Sequence, residues 1–133
     1  MKPMVREFVR QRAGGRCEYC LLPEECDDFP FHIEHVIARQ HGGGNDEVNL
    51  CWSCSRCNLH KGPNIASLDP ATGAIAELFN PRTQKWSDHF QFHNAVIIGL
   101  TPHGRATARV LNMNDDGRVD LRRDLMDRGI IEL

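Results

Sequence analysis

The stretch FHIEHVIARQHGGGNDEVNLCWSCSRCNLHKG, residues 31–62, holds four histidines, three acidic residues, three asparagines and three cysteines. These side chains bind metal ions and move protons. Thiolate and imidazole suit zinc, carboxylate and amide oxygens suit harder ions, and imidazole serves as a base near neutral pH. Upstream, Cys17 and Cys20 form a C-x-x-C pair, and Cys51, Cys54 and Cys57 repeat that spacing twice with overlap. Two such pairs separated by a long insertion match a closed zinc site of four thiolates, worth an apparent ~10–16 kcal/mol of folding free energy in peptide systems. Spacing alone leaves 51/54 and 54/57 both open as partners of 17/20.

Those residues must be carried by a small set of elements. MKPMVREFVRQR reads as a helix with Pro3 in its first turn, an apolar stripe of Val5, Phe8 and Val9, and Gly14-Gly15 as its stop. It delivers the chain to Cys17. LLPEECDDFP is an acidic, proline-bounded loop and FHIEHVI a strand, on which Phe31, Ile33 and His35 share one face and His32, Glu34 and Val36 the other. Glu34 and His35 can therefore serve one centre only where the strand twists or ends. HGGGNDE is a loop, NLCWS a short strand, and SRCNLHK a brief helix stopped by Gly62-Pro63.

Beyond Asp69 the pattern changes. DPATG is a turn, AIAELF a strand, FQFHNAVIIGLTPHGRATARVLNM two or three strands, and NDDGRVDLRRDLMDRGI a helix capped by Asn114 or Asp115. Trp86, His89 and Phe90 are read as anchors of these strands, and the balanced charges of RVDLRRDLMDR as a helix carrying i,i+4 ion pairs. The expectation is a single α+β domain over 1–133, with a metal core at 17–62 and a β-rich elaboration at 69–133.

The ordered set IEHVI (33–37), the HGGGN loop, Asn49-Leu50 and CSRCNLHKG (54–62), with CEYC upstream, resembles the HNH endonucleases, the ββα-metal or His-Me finger nucleases. In that set 13 residues lie between His35 and Asn49 and 8 between Asn49 and Asn58. The chain as a whole, including WSDHF (86–90), is also similar to small bacterial stand-alone HNH proteins.

The resemblance implies a ββα-metal core, with an N-terminal helix before it and β-hairpins plus a helix after it. It favours Cys17, Cys20, Cys54 and Cys57 as ligands of a structural Zn²⁺, leaving Cys26 and Cys51 as small buried hydrophobes. It places His35 as general base toward the attacking water, Glu34 and Asn58 as ligands of a catalytic Mg²⁺ or Mn²⁺, and Asn49 as the residue that holds the loop orienting His35. General-base catalysis of this kind is worth roughly 10²–10⁴-fold. Arg56, His60 and Lys61, on or beside the helix of Asn58, are the candidates for gripping DNA phosphates. His32 and His41 are left open between lining the groove, joining a metal shell and lying solvated, with the solvated reading favoured. The chain departs from the pattern at Ala38, where the family often has Pro, and at Glu34, where Asp is usual.

Bulk properties agree with one soluble unit. The composition, 41% hydrophobic and 26% charged, is ordinary, no apolar run approaches the roughly 18 residues that span a bilayer, and the N-terminus lacks a signal-peptide core. A reducing, cytoplasmic setting and metal-bound thiols follow as expectations. The net charge of −2 divides into a basic segment 1–16 (+4) and an acidic segment 17–50 (−7), with the remainder near neutral. This allows a polyanion locally without demanding one.

The reading is a metal-dependent endonuclease that hydrolyses DNA phosphodiester bonds, with DNA as partner, no membrane and no dimer face evident. The alternative is a non-catalytic, zinc-stabilised nucleic-acid or protein-binding module, which needs the cysteines but not Glu34, His35 or Asn58. A small-molecule zinc hydrolase is set aside, because HIEH is not the helical H-E-x-x-H pattern.

Overall fold

The computed structural model describes residues 2–132. The chain divides into two compact units: the residues up to Ile65 together with Asn80–Gln84, and Ala66–Phe79 together with the chain from Lys85 onward.

In the first unit, α1 (Pro3–Arg12) begins at Pro3, whose missing N–H costs nothing in a first turn, and ends at Ala13 and the left-handed Gly14 and Gly15. Of the expected stripe only Val9 is fully buried; Phe8 is largely exposed, with Arg12 stacked over its ring. The helix is fixed more by its arginines. Arg6 lies over the Trp52 ring and donates to the Phe31 carbonyl, while Arg12 donates to the Glu47 carbonyl.

After the Cys17–Cys20 turn, β1 (His32–His35) pairs antiparallel with β2 (Leu50–Ser53), and α2 (Ser55–Lys61) follows directly. This is the expected ββα order. The register sets Glu34 opposite Cys51 and His35 opposite Leu50. Because side chains alternate along a strand, Glu34 turns inward with buried Val36, and His35 faces the other way at the strand's end. Asn80–Gln84 joins this unit through an ion pair between Arg82 and Glu18.

The second unit contains two hairpins and three helices: β3 (Ala66–Leu68) with β4 (Ile75–Glu77), α3 (Trp86–His89), β5 (Phe90–His93) with β6 (Val96–Gly99), α4 (Pro102–Val110) and α5 (Asp116–Asp127). Trp86 stacks on Phe90 and Phe92, as anchoring aromatics should.

The expectation of strand through TPHGRATARV is corrected here, because the segment is α4. Thr101 caps it by accepting from the Gly104 N–H at 3.1 Å, and Pro102 takes the first turn. The helix then lies so close to the end of α3 and to β6 that a Cβ on Gly104 would sit 2.0 Å from the His89 carbonyl oxygen and 3.3 Å from the Gly99 Cα. α5 is capped by Asp115, one of the two expected residues. Of its exposed pairs, Arg128–Asp124 has the anticipated i,i+4 spacing, whereas Arg123–Asp120 is an i,i+3 pair. Arg118 and Arg122 instead turn inward and donate to the carbonyls of Leu111, Ala95 and Met113.

Candidate active site and zinc centre

The sulfurs of Cys17, Cys20, Cys54 and Cys57 all lie within 4.8 Å of one another, and all four residues are buried. Cys20 Sγ and Cys54 Sγ are 3.8 Å apart. That matches the edge of a tetrahedron with metal–sulfur bonds of about 2.3 Å. The Cys20 N–H faces Cys17 Sγ at 3.5 Å and the Cys57 N–H faces Cys54 Sγ at 3.4 Å, so each C-x-x-C turn supports its own first sulfur. Burial, then the hydrogen bonds of Cys20, Cys54 and Cys57, pushes the Cys17 thiol well up; burial pushes Cys57 well up too, against a lowering hydrogen bond from Cys17. Four buried sulfurs cannot all ionise without a cation among them, so the donor set fits Zn²⁺. The ambiguity in the spacing resolves to 54/57. Cys51 lies apart, buried on β2 opposite Glu34.

Beside the end of β1 an open groove of about 440 Å³ is lined by Glu34, His35, Ala38, Arg39, Asn58, Leu59 and their neighbours. His35 Nε2 lies 2.8 Å from Asn45 Oδ1. Asn49 is spent on the loop: its Oδ1 accepts from the Ile37 N–H, and its Nδ2 donates to the carbonyls of Ile37 and Gly44, each at 2.9 Å. Asn58 is half-buried in the groove wall. Arg56 and His60 are exposed on α2, whereas His32 is half-buried and His41 exposed.

Lys61 is the clear correction among the phosphate-gripping candidates. Its side chain is 1% exposed, and its ammonium donates to Glu34 Oε1 at 2.6 Å, the Val36 carbonyl at 2.9 Å and the His35 carbonyl at 3.3 Å. A cation enclosed in this way cannot reach a phosphate. It ties the end of β1 to the end of α2.

Glu34 is equally engaged. Its Oε2 accepts from Tyr19 Oη at 2.8 Å and from Cys51 Sγ at 3.1 Å, and the residue is 5% exposed. Burial, then the Cys51 and Glu34 charges, raises Tyr19 well above its ordinary value; burial, then Glu34, does the same for Cys51. Both therefore stay protonated and act as donors. For a Mg²⁺ or Mn²⁺ ion the expected donors were Glu34 and Asn58, and both line the groove. The carboxylate, however, is already neutralised by the Lys61 ammonium, which would repel a second cation. As arranged, this pair does not fit such an ion.

Sequence reasoning missed Asn45 and Arg39. Asn45 closes the Gly-rich run and Arg39 lies three residues ahead of it, but neither stands at a spacing that announces a partner.

The order of strand, loop, strand and helix, the four-sulfur cluster and the groove histidine converge on one comparison. Residues 17–64 match the HNH endonuclease family. This HNH segment carries the four cysteines, His35, Asn49 and Asn58, and HNH endonucleases act on nucleic acid. The chain is also similar to the Septu protein PtuB of Bacillus thuringiensis, 25% identical over 98% of this chain and 49% of that protein. The chain thus spans about half the length of the curated relative it matches. No solved structure matches it. Among the described residues no helix is long and apolar enough to cross a membrane.

Proposed function

We propose that this chain is a DNA endonuclease in which His35 is the general base. The observation that carries the reading is the placement of His35 at the end of β1, in an open groove with Asn58 and Arg39, and backed by Asn45. In this reading His35 takes a proton from a water lying in the groove, the hydroxide attacks phosphorus, and the bond to the 3′-oxygen breaks opposite it. The 3′-oxygen then takes a proton from solvent, giving 5′-phosphate and 3′-hydroxyl ends. Arg39 in the groove wall and Arg56 and His60 on α2 supply cationic contacts to the flanking phosphates.

Zn²⁺ on the four cysteines is structural, since the site is closed and offers no position for substrate. The expected catalytic Mg²⁺ or Mn²⁺ on Glu34 and Asn58 requires that Lys61 first give up the carboxylate. Among the described residues the six cysteines form no disulfide, which suits a reducing, cytoplasmic setting.

The engagement of Glu34 favours a second reading, a zinc-stabilised binding module without catalysis. Incubation of supercoiled plasmid with zinc-loaded protein, with Mg²⁺, Mn²⁺ or neither, separates the two. Nicking, with or without the added ion, supports the nuclease. Retention of the plasmid in a gel without any cut supports the module.

A further inference from the structure

Behind His35 the Gly-rich loop ends in an asparagine to which neither spacing nor family resemblance gives a role. The side chain of Asn45 is exposed, and its Oδ1 lies 2.8 Å from His35 Nε2. An amide oxygen accepts, so Nε2 carries the hydrogen and Nδ1 keeps the lone pair. We infer that Asn45 is the positioning residue of His35, holding the imidazole in the Nε2–H tautomer with Nδ1 presented as the base. This rests on the proposed role of His35.

The loop is built to hold that amide still. Asn49 grips both neighbours of Asn45: its Nδ2 donates to the Gly44 carbonyl at 2.9 Å, and its backbone N–H donates to the Asp46 carbonyl at 2.8 Å. On the other side, the Gly43 N–H donates to the Ala38 carbonyl at 3.1 Å. Gly43 runs so close to β1's exit that a Cβ there would stand 1.7 Å from the Ile37 carbonyl oxygen. Only glycine fits. Asn49 thus acts on His35 through Asn45, and the run of glycines is the close approach that brings Asn45 within reach.

Because Asn45 is exposed, its replacement leaves the packing of β1 and β2 intact. The test compares wild type, Asn45→Ala and Asn45→Asp, all with equal zinc, by long-range ¹⁵N–¹H NMR of His35 above the pH at which imidazole titrates. The same proteins are then assayed for plasmid nicking. The expected result is a single Nε2–H tautomer in wild type and in Asn45→Asp, which keeps the acceptor, and a mixture of both tautomers in Asn45→Ala. Turnover falls about 10–100-fold in Asn45→Ala at unchanged KM and is largely restored in Asn45→Asp. An Nδ1–H tautomer in wild type would overturn the inference, as would an Asn45→Ala protein with unchanged tautomer and turnover. A locked tautomer that responds to Asn45 in a protein that cuts nothing would uphold the hydrogen bond and sink the nuclease reading instead.

Discussion

Lys61→Met is the most informative single change to the scaffold. It keeps the aliphatic length while deleting an ammonium that is 1% exposed and touches Glu34 Oε1 at 2.6 Å and two backbone carbonyls. What remains is a 5% exposed carboxylate with, among the described residues, Tyr19 and Cys51 as its donors. Removing one partner of a buried pair leaves an uncompensated charge and costs ~3–5 kcal/mol. For a chain of this length that lowers the melting temperature by roughly 10–20 °C. Adding Glu34→Gln removes the stranded charge, so the double variant should be more stable than Lys61→Met alone. Urea denaturation of the zinc-loaded proteins, followed by near-ultraviolet circular dichroism, measures each corner of the cycle. A loss below about 1 kcal/mol for Lys61→Met, or additive costs in the double variant, would show that the pair does not clamp β1 to α2.

Other perturbations test other parts of the structure. The protein should bind one zinc per chain; Cys57→Ser should lose it together with the fold, whereas Cys26→Ser, outside the cluster, should keep full occupancy by metal analysis. Gly43→Ala should leave zinc content unchanged yet abolish cleavage, since its Cβ would displace the loop that carries Asn45. Gly104→Ala should destabilise the second unit by ~1–3 kcal/mol or more in thermal melts, because the clash is with backbone that cannot rotate away.

His89 offers a test by pH. Burial first, and then the charge of His103, lowers its pKa, with Nδ1 2.6 Å from Thr101 Oγ1. A histidine depressed on folding contributes stability that is present above the ordinary value of about 6.5 and lost as pH falls through the folded pKa. The second unit should therefore weaken as pH falls from about 6.5 through the folded pKa, and His89→Gln should remove that part of the slope in denaturation curves.

The zinc centre and the ββα order were legible because ligand chemistry leaves its spacing in the chain: Cys17, Cys20, Cys54 and Cys57 are meaningful at those intervals whatever surrounds them. The choice of 54/57 over 51/54 was not a matter of spacing. It follows from the register, which sends Cys51 inward opposite Glu34. The pairing of Glu34 with Lys61 was hidden for a similar reason, since the two residues were read in separate roles, as metal ligand and phosphate contact. Strand alternation already put Glu34 on the face of apolar Val36, and a carboxylate on a buried face needs a cation. α4 was misread as strand because Val96–Gly99 continues into a segment of mixed apolar and polar residues. The Thr-Pro start, with Thr101 as cap, was the signal that marks a helix there. Asn45 carries no periodicity of its own, and only the folding of the glycine run onto β1 brings it to His35.

The most direct test of the central claim compares wild type with His35→Ala on supercoiled plasmid, after zinc analysis shows equal loading. The account predicts nicking by wild type that is lost in His35→Ala while zinc content and melting temperature are unchanged. Equal cleavage by both proteins would contradict it.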